Sequence, residues 1–187
     1  MSPTTPQHVA EGLGNKLDII LAAGACEVGL ESTVVDLTGL DAAILRPGAI
    51  TAEDIEAALG EKVKYETDGS GAVKSPGQLL KHYAPSVPLR MNAVDVEPGE
   101  ALLAFGSTRF MGVKGAGAVR DMKEDLFRNL SETGDLHEAA ANLFAMLKEL
   151  DRGGPTGIAV MQLPETGLGI AINDRLKRAA AGSKLAA

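Results

Sequence analysis

The chain has 187 residues, of which 25 are acidic and 18 basic, and its net charge of −7 speaks against general affinity for nucleic acid. Hydrophobic residues make up 45% and charged residues 23%, which excludes a disordered chain; with no Trp, the core has to be built from Leu, Ile, Val, Ala and Met. One cysteine excludes an internal disulfide, and one Cys with three scattered His residues excludes a metal cluster.

No apolar run reaches the length of a membrane span, and the start Met-Ser-Pro-Thr-Thr-Pro has no basic flank followed by an apolar stretch. A soluble cytoplasmic protein is expected, with Cys26 a buried thiol in a reducing compartment. Thr5 and Pro6 read as the cap and first position of a short helix that Gly12 or Gly14 ends. Leu17–Ala22 is mostly apolar and is expected to form a buried strand. Glu31–Leu37 is β-branched and bounded by glycines, a second strand, and Ala43–Leu45 is its neighbour, ending in Arg46-Pro47-Gly48. Thr51 starts a helix, with Asp54 three residues on, that runs to Leu59 and stops at Gly60.

Beyond Pro88 the pattern changes to strand and helix in alternation. Leu89–Asn92 and Ala101–Phe105 read as strands, and the four glycines between Gly106 and Gly117 as a loop. Leu136, Ala139, Ala140, Leu143, Phe144, Leu147 and Leu150 share one helical face, opened by Asp135 and closed by Gly153-Gly154-Pro155. Gly157–Gln162 is a buried strand and Leu168–Ala181 a second helix, with basic residues late, where its dipole favours them. Such an order implies an α/β fold with a parallel sheet flanked by helices.

Four places could carry chemistry. Ser32 and Thr33 open a strand, where hydroxyls either donate to a carboxylate or phosphate or satisfy the strand's own backbone. Arg46 is the only arginine before Val87; its planar fork suits phosphate, and a surface ion pair is the alternative. Gly167-Leu168-Gly169 precedes a helix and reads as an anion loop or, more simply, a turn. His8 and His137 fall in helix first turns and read as surface residues. The fourth place is Ser75–Ser86, Ser-Pro-Gly-Gln-Leu-Leu-Lys-His-Tyr-Ala-Pro-Ser, set between turn signals and anchored by Leu79 and Leu80. It reads as an ordered linker or as a linker that doubles as a lid.

That stretch resembles the linker of the long-form threonylcarbamoyl-AMP synthases, Ser-Pro-Gly-x-x-x-x-His-Tyr-Ala-Pro, whose fixed letters stand here as Ser75, Pro76, Gly77, His82, Tyr83, Ala84 and Pro85. Glu31–Asp36 is similar to the family's Glu-Ser-Thr-x-x-Asp, and Leu45–Gly48 to its Leu-Arg-Pro-Gly. The resemblance implies a partial YrdC-like α/β domain over residues 1–66, a linker over 67–87 and a small Rossmann-like parallel-sheet domain over 88–187. It implies L-threonine at Ser32, with Thr33 as second choice, and ATP at Arg46, Tyr83 and Ser2. His82 is expected to anchor the linker.

The family's reaction joins L-threonine, bicarbonate and ATP into threonylcarbamoyl-AMP for tRNA modification, and magnesium accompanies the ATP. The family's Lys-x-Arg and Ser-x-Asn motifs, which hold triphosphate and metal, do not occur here. Charge agrees, since residues 1–86 hold 12 acids and 6 bases, net −6, against 13 and 12, net −1, in 87–187. The expectation is a nucleotidyltransferase portion that lacks the N-terminal half of the YrdC-like domain as its partner and is inactive without it. Its strands are expected to leave open edges, and direct tRNA binding finds no support in the charge. A non-enzymatic nucleotide- or RNA-binding module is the alternative. A carbamoyl-transfer protein of the hydrogenase-maturation type is disfavoured by the linker and tail.

Overall fold

The computed structural model describes residues 1–67, 83–115 and 117–183. The first helix, α1 (Pro6–Leu13), starts where the Thr5 hydroxyl accepts from the His8 backbone N–H and ends at Gly14, whose φ of 42° suits glycine. His8 is not a surface residue: it is buried, with Nδ1 3.2 Å from the Thr4 backbone nitrogen. Leu17–Ala22 forms no strand. It follows a 3₁₀ turn at Gly14–Lys16, pairs with no strand among the described residues, and leaves Ile19 and Leu21 exposed. An apolar run without a neighbouring strand has nothing to complete its backbone hydrogen bonds in extended form. Cys26 is exposed rather than buried for the same reason: the run beside it never enters a core.

A three-stranded sheet follows, in the order β1 (Val34–Asp36), β2 (Ala43–Arg46) and β3 (Lys64–Tyr65). β1 and β2 are antiparallel, β2 and β3 parallel. The strand read over Glu31–Leu37 contracts to three residues, with a register slip between Val34 and Val35. Between β2 and β3 lies α2 (Ala52–Leu59). Its start is a full capping box: Thr51 accepts from the Asp54 N–H while Asp54 accepts from the Thr51 N–H.

The larger sheet has four parallel strands. Its members are β4 (Leu89–Arg90), β6 (Glu100–Ala104), β8 (Phe127–Asn129) and β9 (Gly157–Val160), in the spatial order β4-β9-β6-β8. The alternation of side chains decides what each face packs against. Ala101, Leu103, Ile158 and Val160 meet α3 (Leu136–Arg152) and α4 (Leu168–Gly182) on one face. Leu102, Ala104 and Ala159 meet Ala93, Val96 and Val119 on the other. That second face is covered by β5 (Asp95–Val96) and β7 (Gly112–Val113), a two-stranded parallel ribbon, together with 3₁₀ turns at Val119–Asp121 and Glu124–Leu126. Both long helices therefore share one side of the sheet. The glycine-rich stretch read as a loop supplies β7.

The expected start of α3 is realised: the Asp135 carboxylate accepts from the backbone N–H groups of His137 and Glu138. The basic residues of α4 do not reach its last turn. Arg175 and Arg178 sit mid-helix and both bond Asp174. None of the helices among the described residues is long and apolar enough to cross a membrane.

The N-terminal residues lie on the helix side of the larger sheet. Met1 and Leu30 pack against its core, and Glu11 pairs with Arg152 at the end of α3. Gly29 (φ 70°) touches α3 so closely that a Cβ would fall 2.4 Å from the Ala140 carbonyl oxygen. Only glycine fits there.

Candidate functional site

β2 ends at Arg46 because Pro47 has no N–H for a ladder. The chain then turns across the start of β1. A Cβ on Gly48 would lie 2.3 Å from the Thr33 nitrogen and 2.5 Å from the Glu31 carbonyl oxygen, so the turn rests directly on the Glu31–Thr33 backbone. The Arg46 side chain folds back over the same segment. Its Nε donates to the Ser32 carbonyl at 3.1 Å and one terminal nitrogen donates to Ser32 Oγ at 3.2 Å. Ser32 and Arg46, separate in sequence, are thus one unit facing solvent. Thr33 is occupied otherwise: its hydroxyl donates to the Ile50 carbonyl at 2.6 Å and holds the loop that leads into α2.

Behind this pair stands Glu31. One carboxylate oxygen accepts from the Ser2 hydroxyl and the other from Arg175 Nε at 2.8 Å. Ser2 therefore joins the cluster through Glu31. Tyr83, with φ 64° and only 5% exposed, lies beneath Arg175, whose guanidinium carbon is 5.5 Å from the ring centre; it also meets Phe144 at 5.3 Å between ring centres. Burial pushes the Tyr83 hydroxyl above the ordinary phenol value; the Arg175 charge pulls it back and the nearby Glu31 carboxylate raises it further. Ser2, Ser32, Arg46 and Tyr83 so gather around Glu31. His82 and Ser75–Lys81 lie outside the described residues.

Glu31 is the electrostatic centre of the group. Burial on its own would raise its carboxyl, but the hydrogen bonds from Ser2 and Arg175 and the Arg175 charge outweigh burial and hold it below the ordinary glutamate value. A carboxyl lowered in the folded state stabilises the fold above its unfolded value, about 4.3, and that stabilisation disappears as pH falls through the lower folded value. Acid below about pH 4 is therefore expected to loosen the N-terminal residues from α4. The tyrosine near-UV dichroism should report it, and Glu31→Gln should remove that pH-dependent part. A Glu31→Gln chain with an unchanged acid transition would show that other carboxylates govern it.

Arg175 is the residue that reading the sequence missed, although a signal was there. Leu168, Ala171, Ile172, Leu176 and Ala179 form the buried stripe of α4, and Arg175 falls within it. A charged side chain on an apolar stripe has to be paired to be buried, and it is 1% exposed. The Gly167–Gly169 turn serves packing: a Cβ on Gly169 would sit 2.1 Å from the Pro164 carbonyl oxygen.

Residues 50–181 match the family described as threonylcarbamoyl-AMP synthase, C-terminal domain, and residues 1–48 match the family described as telomere recombination. The chain is 35% identical to the threonylcarbamoyl-AMP synthase of Pyrococcus abyssi over 187 residues, with 95% of the chain and 54% of that protein covered. With the Bacillus subtilis protein of the same name the identity is 32%, covering 97% and 54%. Among solved structures, the P. abyssi Sua5 protein complexed with L-threonine superposes with a TM-score of 0.75 at 30% identity, over 97% of this chain and 54% of that one. The chain spans about half the length of the curated relatives it matches. With most of its length accounted for by that match, the chain belongs to the threonylcarbamoyl-AMP synthase C-terminal domain family.

Proposed function

We propose that this chain supplies one wall of an L-threonylcarbamoyladenylate synthase site, a nucleotidyltransferase acting in the cytoplasm on the route to tRNA threonylcarbamoyladenosine. The observation that carries the reading is the meeting of Ser32 and Arg46 over Glu31. Hydroxyl donors stand beside a guanidinium, a pairing suited to an amino acid next to a phosphate chain. Ser32, with Thr33 behind it, takes L-threonine. Arg46 takes ATP, with Ser2 and Tyr83 as the further ATP contacts. A relative with this fold has been solved with L-threonine, which supports the first assignment.

In the proposed reaction the threonine amine and bicarbonate condense to a carbamate with loss of water. A carbamate oxygen then bonds the α-phosphorus of ATP, the bond to the β-phosphate oxygen breaks, and pyrophosphate leaves. The chain's own task is to orient threonine and neutralise phosphate charge. Magnesium would accompany the triphosphate. Among the described residues no group of three or more His, Cys, Asp or Glu could hold it, and the pocket's carboxylate, Glu31, is engaged by Ser2 and Arg175. These side chains do not fit a metal site. The Lys-x-Arg and Ser-x-Asn groups that the site still needs would come from a further polypeptide segment, the partner of residues 1–66. The linker over 67–87 and the domain over 88–187 would complete the organisation.

The test compares the chain alone with an extended chain. The extension joins Met1 to the residues that precede the matched region in the P. abyssi relative. With ATP, threonine and bicarbonate, the chain alone is expected to release no pyrophosphate above background, and the extended chain to release it. Robust release by the chain alone would overturn the need for a second segment. A folded extended chain that released none would overturn the synthase reading.

A further inference from the structure

We propose that Arg175, on α4, is the positioning residue of this pocket, holding the Ser2, Ser32 and Arg46 walls in register from a helix outside the three-stranded sheet. The inference rests on the synthase reading only for what the pocket binds; the positioning itself stands on geometry.

The guanidinium of Arg175 uses each of its nitrogens on a different element. Nε donates to Glu31 at 2.8 Å, just before β1. One terminal nitrogen donates to the Pro47 carbonyl at 2.9 Å, just after β2. The other donates to Asp174 at 2.8 Å, on its own helix. The first two bonds fix the distance between the two chain segments that carry Ser32 and Arg46. Through Glu31 the same side chain also fixes Ser2. The same guanidinium lies over Tyr83, its central carbon 5.5 Å from the ring centre.

Asp174 continues the arrangement. It accepts from Arg178 as well, and Arg178 donates to the Thr67 carbonyl at 3.0 Å. Two arginines one turn apart on α4, sharing one aspartate, therefore hold Glu31 and Pro47 on one side and Thr67 on the other. A planar fork with directed N–H groups can span three acceptors; a lysine ammonium at the end of a flexible stem cannot hold the same set at once. That choice of residue is unneeded for simple burial, where an aliphatic side chain would pack on α4 without any partner.

Two measurements test the proposal, on the chain with Arg175→Gln and with Arg175→Lys. The first is amide hydrogen exchange of the chain itself. Exchange at Val34, Val35 and Arg46 should quicken by roughly ten- to a hundredfold in Arg175→Gln, while Leu102, Leu103 and Ile158 in the larger sheet keep their protection. Arg175→Lys should recover only part of the loss. Unchanged exchange at Val34, Val35 and Arg46 would overturn the proposal. So would equal loss of protection in both sheets, since Arg175 would then be a general stability residue.

The second measurement is the Michaelis constants of the extended chain. Threonine KM and ATP KM should both rise roughly tenfold in Arg175→Gln, because Ser32 stands on one side of the Glu31–Pro47 clamp and Ser2 and Arg46 are held by the same bonds, with kcat moving much less. A rise in only one of the two constants, or in neither, would overturn the common register of the three residues. An extended chain inactive with Arg175 in place would count against the synthase reading, and the exchange experiment would still decide the positioning role.

Discussion

Replacing Arg46 with alanine is expected to weaken ATP binding by the extended chain by roughly one to two orders of magnitude. The estimate follows from the charge-assisted hydrogen bonds a guanidinium gives to phosphate, about 1.5–3 kcal/mol. Ser32→Ala should show the converse pattern, with threonine affinity falling more than ATP affinity. The structure adds a coupling between the two. Arg46 bonds both the carbonyl and the hydroxyl of Ser32, so Arg46→Ala also frees the threonine wall. Threonine affinity should therefore drop by a small factor in Arg46→Ala, and the two changes combined should cost less than their sum. Calorimetric titration of each ligand alone, on both single variants and on the combined one, measures these affinities. ATP binding left intact by Arg46→Ala would reduce the arginine to a clip that orders Ser32.

The second large effect is expected from one methyl group. Gly48→Ala places a Cβ 2.3–2.6 Å from atoms of the Glu31–Thr33 backbone, and none of those atoms belongs to a side chain that could rotate away. Overpacking of this kind costs about 1–3 kcal/mol. In a chain of this size each kcal/mol lowers the melting temperature by about 2–4 °C. The segment that must yield carries both Glu31 and Ser32, so the Arg46 and Arg175 contacts should weaken together. Gly12→Ala is the control, because a Cβ there meets nothing within 4 Å. If the two variants melt alike, the Pro47–Gly48 turn is not clamped on the Glu31–Thr33 segment.

Legibility differed between the two parts of the chain for a physical reason. α3 and β9 could be read because local pattern and tertiary burial agree: the apolar stripe of α3 is its buried face. Leu17–Ala22 has an apolar run but, among the described residues, no strand beside it, and nothing in the run itself reveals that. β8 and β5 went unread because two- or three-residue strands have no period to count. Within the site, Ser32 and Arg46 stood out as polar groups at strand ends, where side chains reach solvent. Arg175 was hidden because its meaning depends on Glu31 and Pro47, distant in sequence; only its place on an apolar stripe gave it away.

The bond between Glu31 and Arg175 spans 144 positions of the chain. A ribosome adds about 5–20 residues per second, so Glu31 is made roughly 7–30 seconds before its partner exists. Throughout that interval Ser2, Ser32 and Arg46 have no Arg175 to organise them. A nascent chain therefore carries the residues of the pocket well before it carries the pocket. The bonds from Arg175 to Glu31 and Pro47 can form only once α4 has emerged.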